Sequence, residues 1–157
     1  MTVGVITIPD IGSIIDVAKG PSKKVLVADP DAEWQQFYRD CLEGIVSPEK
    51  IIIIASRVES VKYSTEYFDA YIIEPELPQG MGKDKSDWGL DLAQRIAMYR
   101  EDYNAIWLLS KNHDLLSKGR IMGFYNGYSK NKNNDDYRNA EQFKRDIRLA
   151  LTGHPGS

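Results

Sequence analysis

A chain of 157 residues, 42% hydrophobic and 27% charged, is sized for one domain with a sizeable buried core. Its formal net charge of −3 excludes a general nucleic-acid surface, and the basic residues Lys130, Lys132 and Arg138 are offset by Asp135 and Asp136. Cys41 is the single cysteine, so no internal disulfide forms; no apolar run is long enough to span a membrane and no signal-peptide pattern is present, which makes the cytoplasm the expected location.

In chain order, residues 1–22 come first, with the apolar stretches VGVITIP and IGSIIDVA. A free tail is rarely so hydrophobic. This extension is expected to cover a sheet edge or helix face of its own chain, or to dock on a second copy as a homodimer contact. Val25 to Ala28 form an apolar run that leads into Asp29, Pro30 and Asp31. Pro30 suits the first turn of a helix capped by Asp29, and Asp29 is equally read as part of an acidic pocket. Trp34, Phe37, Tyr38, Cys41 and Leu42 recur at helical steps, with Cys41 a small buried hydrophobe. Ile51 to Ile54 make a second apolar run.

The stretch FDAYIIEPELP, residues 68–78, is the most informative. Ala70 to Ile73 read as a strand buried on both faces, placing Glu74 at its C-terminal end, where open α/β sheets bind ligands. QGMGKDKSD, residues 79–87, reads as an exposed, mobile loop beside Glu74, and Leu90, Leu92, Ala93, Ile96 and Ala97 as a helix. Ala105 to Leu109 lead into Ser110, and Lys130 follows in GYSKN. The polar run 130–139 reads as a solvated loop, and Phe143, Ile147 and Leu151 as a last helix. His113 and His154 lack metal-ligand spacing, and no Walker-type glycine loop is present, so no cofactor is expected. The alternation predicts an α/β, doubly wound sheet of five parallel strands, order 2-1-3-4-5, each strand followed by a helix. The expected organisation is an extension over 1–22, a domain over 23–152 and a tail over 153–157.

Asp29, Glu74 with Pro78 four residues on, Ser110, Lys130 and GLDLAQRI from Gly89 fall in the order of a known pattern. Over roughly residues 23–151 the chain resembles the CheY-like receiver domains of two-component response regulators. The resemblance implies a phosphorylation pocket at Asp29, Pro30, Asp31, Glu74, Ser110 and Lys130, with Glu74 where the phosphoacceptor aspartate stands. Pro30 replaces a metal-side carboxylate, for which Asp31 is a substitute one residue on, and Gly127 replaces the aromatic that reports the switch.

Receiver phosphorylation needs a carboxylate nucleophile, Mg²⁺ held by several oxygens, and a lysine and hydroxyl on the phosphoryl group. The extra methylene of Glu74 moves its oxygens off line, and about 1 Å of misplacement costs on the order of a hundredfold. The implied protein is a degenerate pseudo-receiver: a phosphorylation-independent protein-interaction module in bacterial signal transduction, not an enzyme, acting on other signalling proteins. Its alternatives are an active phosphoacceptor that uses Mg²⁺ and an atypical carboxylate, and a flavodoxin-like cofactor binder. Individual residues also have local readings: Glu74 as a solvated loop residue or as the partner of Lys130, and Ser110 as a pocket hydroxyl or a helix cap.

Overall fold

The computed structural model describes residues 23–134 and 136–153. The expectations placed on residues 1–22 and on 154–157 of the tail lie outside them.

Five parallel strands form the central sheet: β1 (Val25–Ala28), β2 (Ile51–Ile54), β3 (Ala70–Ile73), β6 (Ile106–Ser110) and β7 (Gly127–Ser129). They lie in the order β2-β1-β3-β6-β7, the predicted 2-1-3-4-5 arrangement. Val25 is in register with Ile51 on one side and Ala70 on the other, and Ile73 with Leu108.

β1, β2 and β3 are apolar throughout, and β6 is apolar up to Ser110, because both faces of the sheet are covered. Val25, Val27, Ile72, Trp107, Leu109 and Tyr128 face one layer, where Tyr38, Cys41 and Leu42 of α1 (Ala32–Leu42) meet Phe143 and Ile147 of α4 (Ala140–Thr152). Leu26, Ala28, Tyr71, Ile73, Ile106 and Leu108 face the other, against Leu90, Leu92 and Ala93 of α2 (Trp88–Arg100) and Leu116 of α3 (His113–Ile121). Cys41 is fully buried, and burial pushes its thiol up to about 12, which leaves it protonated and inert at neutral pH.

Local sequence sets the helix boundaries, in places differently from expectation. The cap of α1 is Asp31, whose side chain accepts the Glu33 amide; Asp29 is turned inward instead. Asn112, not Ser110, caps α3 through the Leu115 amide. Asn139 and Gln142 form a capping box on α4.

Two further expectations are corrected. The crossover from β2 to β3 carries no α-helix but a 3₁₀ turn, Val58–Tyr63. Its serines and β-branched residues offer no sustained apolar stripe to hold a longer helix on the sheet. The stretch after Pro78 is not an irregular loop. Leu77–Pro78 (β4) pairs antiparallel with Lys85–Ser86 (β5), closed by a Lys83 amide to Gly80 carbonyl bond and by Gly82 at φ 78°. The Arg57 and Val58 amides donate to Pro78 and Gln79, tying the base of this hairpin to the β2 exit. Residues 81–87 are exposed, as expected. Among the described residues no helix is long and apolar enough to cross a membrane.

Candidate functional site

The sheet ladder carries four polar groups to one edge. Asp29 follows β1 and donates its amide to Ile54; Glu74 follows β3 and donates to Ala28; Ser110 ends β6; Lys130 follows β7 and donates to Ser110. These strand ends surround the point where the strand order reverses, where α/β sheets form their crevice. All four residues are buried there: Asp29 is 1% exposed, Glu74 7%, Ser110 0% and Lys130 8%.

Lys130 is the centre of the arrangement. Its ammonium donates to Asp29 Oδ2 and to Glu74 Oε1, each at 2.7 Å, and stands 5.0 Å over the Trp34 ring. Both carboxylates accept further hydrogen bonds. Asp29 Oδ2 accepts the Tyr38 hydroxyl at 2.9 Å and Oδ1 the Asp31 amide at 3.0 Å, while Glu74 Oε2 accepts the Glu76 amide at 2.9 Å. Burial, then the charge of Asp29, holds the Tyr38 phenol well above its usual range, so the hydroxyl stays the donor. The loop after β7 is fixed by Ser129 Oγ, which accepts the Asn131 amide and lies 2.7 Å from His113 Nε2.

Burial also raises Glu74 above the ordinary glutamate value, against the attraction of Lys130 and hydrogen bonds from Lys130, the Glu76 amide and the Ser110 hydroxyl. The folded chain therefore binds this proton more tightly than the unfolded one. The contribution of Glu74 to stability is fully present below the unfolded value and declines as pH rises through the raised one.

Of the residues singled out in the sequence, Asp29, Glu74, Ser110 and Lys130 come together. Pro30 and Asp31 sit in the wall of the small pocket above them, about 90 Å³, with the Asp31 carboxylate committed to capping α1. That volume holds about three waters. Gly127 lies at the start of β7, paired with Leu108, and a Cβ there would meet Leu116 at 3.7 Å, an ordinary contact. Three contributors have no signal in the sequence: the Tyr38 hydroxyl, the Trp34 ring, and Lys85, which the hairpin brings into the pocket wall beside Lys111.

Mg²⁺, the ion receiver chemistry uses, wants a near-octahedral set of oxygens with room for water. These residues do not fit it. Both oxygens of Asp29 already have donors, Pro30 offers none, and the ammonium of Lys130 stands between the two inward carboxylates. Among the described residues no group of three or more His, Cys, Asp or Glu side chains is placed to hold a metal.

No family model and no curated protein sequence matches the chain. Solved structures do match it in fold. The signal receiver domain of an HD domain-containing protein from Pseudomonas fluorescens Pf-5 is 19% identical, with 83% of this chain and 87% of that one covered at a TM-score of 0.60. A CheY-like response regulator receiver domain protein from Methanospirillum hungatei JF-1 is 17% identical over 83% and 94%, at 0.59. The receiver domain of NtrX from Brucella abortus is 15% identical over 82% and 98%, also at 0.59. The chain has the fold of response-regulator receiver domains, with an acid–lysine–acid cluster at the C-terminal edge of its parallel sheet.

Proposed function

We propose that this chain is a pseudo-receiver: a phosphorylation-independent module of two-component signalling in the bacterial cytoplasm that works by binding other signalling proteins and catalyses no reaction of its own. The observation that carries this reading is the Lys130 ammonium bonded to both Asp29 and Glu74 at 2.7 Å. It ties the exits of β1, β3 and β7 to one another. The glutamate at the acceptor position, the missing carboxylate at Pro30 and the diverted Asp31 point the same way. Partners then read a surface held in one state by this clamp, on β7 and the helices around it.

Glu74→Gln tests the clamp, because it keeps the shape and removes the charge. Hydrogen exchange of the amides at 110–112 and 129–131 should rise severalfold, since Lys130 keeps only Asp29 as an ionic partner. Unchanged exchange in both segments would show that the charge of Glu74 does not hold these loops, and the clamped-module reading would be withdrawn.

A further inference from the structure

A cavity of about 450 Å³ opens between the first turns of α1 and α4, beside the loop that carries Lys130. Trp34 and Phe37, both half-buried, form its apolar wall. Ala140, at the start of α4, presents only a methyl group to the same space, which leaves it open. One turn further along α4, Phe143 meets Phe37 with ring centroids 6.3 Å apart and closes the gap. The volume falls within the range of small-molecule sites, about 300–1,000 Å³, and an apolar wall with a few polar groups at the mouth is their usual make-up.

Charge selects the ligand. The Lys130 ammonium is already matched by Asp29 and Glu74, so it adds no free positive charge. Helix N-termini favour anions, but these two are capped by their own side chains: Asp31 accepts the Glu33 amide and Asn139 the Gln142 amide. Glu33 and Glu141 line the cavity with no ion pair among the described residues, against one exposed lysine, Lys132. The aromatic wall suits a cation too. Trp34 has the Lys130 ammonium 5.0 Å over its ring and stands edge-on to Phe37 at 5.2 Å.

We propose that this cavity binds a small organic cation: an ammonium on an apolar body of one or two rings, the body against Trp34 and Phe37 and the ammonium between Glu33 and Glu141. The site goes beyond the partner-binding reading and stands whether or not the acid–lysine cluster replaces phosphorylation. It brings a chemical signal against the loop that carries Lys130.

The test titrates the full chain with phenethylammonium chloride and, separately, with sodium phenylacetate, which carries the ring with the opposite charge, and follows the backbone amides by NMR. Phenethylammonium should shift the amides of 33–37 and 139–141 saturably, with a dissociation constant of about 1 mM for a probe of this size. Phenylacetate should bind about tenfold more weakly or worse. Glu33→Gln with Glu141→Gln should weaken phenethylammonium about fivefold and leave phenylacetate no weaker. Both glutamates are exposed, so this variant keeps the fold. Ala140→Leu, which fills the cavity, should remove the saturable shifts. No saturation by about 10 mM, shifts confined to other segments, equal affinity for the two probes, an unchanged affinity in the glutamine variant, or full binding by Ala140→Leu would each overturn the proposal.

Discussion

Replacing Lys130 with Met lowers the free energy of unfolding by about 3–5 kcal/mol at neutral pH, the loss expected when one partner of a buried ionic cluster is removed. The side chains of Lys130, Asp29 and Glu74 are 4%, 1% and 9% exposed, so solvent screens little of this. Methionine fills a similar volume but leaves two carboxylates facing each other without a cation. Against a total stability of about 5–15 kcal/mol, such a loss is a large share. The pH dependence has a definite sign. Lys130 is the main influence holding Glu74 down, so its removal raises Glu74 further above the ordinary value. The variant then regains stability as pH falls and Glu74 takes up a proton. Urea unfolding at pH 7 and pH 5 checks both points, and Lys130→Met combined with Glu74→Gln should recover part of the loss. A deficit under about 1 kcal/mol at pH 7 would show the cluster to be energetically minor.

Gly89→Ala is the second large effect. A Cβ on Gly89 would lie 2.0 Å from the Glu74 carbonyl oxygen and 2.7 Å from Pro75 Cα. The Gly89 amide also donates to the Pro75 carbonyl at 3.0 Å. The obstructing atoms are backbone, so no rotamer change relieves the contact, and the start of α2 has to move away from the exit of β3. Alanine favours a helix by about 1 kcal/mol over glycine. Overpacking against fixed atoms costs about 1–3 kcal/mol and sometimes more. The clash wins, and a net loss of about 2 kcal/mol or more is expected, with exchange rising at 74–76. A variant as stable as the parent would mean that the β3 exit gives way easily and does not position Glu74.

Much of this architecture is legible in the sequence because doubly buried strands leave a plain mark. The runs Val25–Ala28, Ile51–Ile54, Ala70–Ile73 and Ile106–Ser110 stand out as short apolar blocks, and the parallel sheet then carries Asp29, Glu74, Ser110 and Lys130 to one edge. Features that depend on geometry across elements are not legible. Tyr38 has the spacing of a core residue, and only the packing of α1 against β1 aims its hydroxyl at Asp29. Asp29 reads as the cap of α1, yet that role falls to Asp31 while Asp29 bonds Lys130 and Tyr38. Gly89 reads as a helix start, while its need for no side chain comes from Glu74 and Pro75, which reach it from another element. The 3₁₀ turn after β2 escapes a pattern that assumes a helix after each strand, and the hairpin at 77–86 is hidden in a glycine- and lysine-rich run that resembles loop.

A cluster that stands in for phosphorylation leaves the chain with no phosphoryl group to accept. Its most direct test is intact-mass analysis of the folded full chain after incubation with Mg²⁺ and acetyl phosphate or phosphoramidate. With Glu74 at the exit of β3 and both carboxylates held by Lys130, the mass is expected to stay that of the unmodified chain. A stoichiometric gain of one phosphoryl group, lost at alkaline pH as an acyl phosphate is, would contradict the account and make this chain an active receiver.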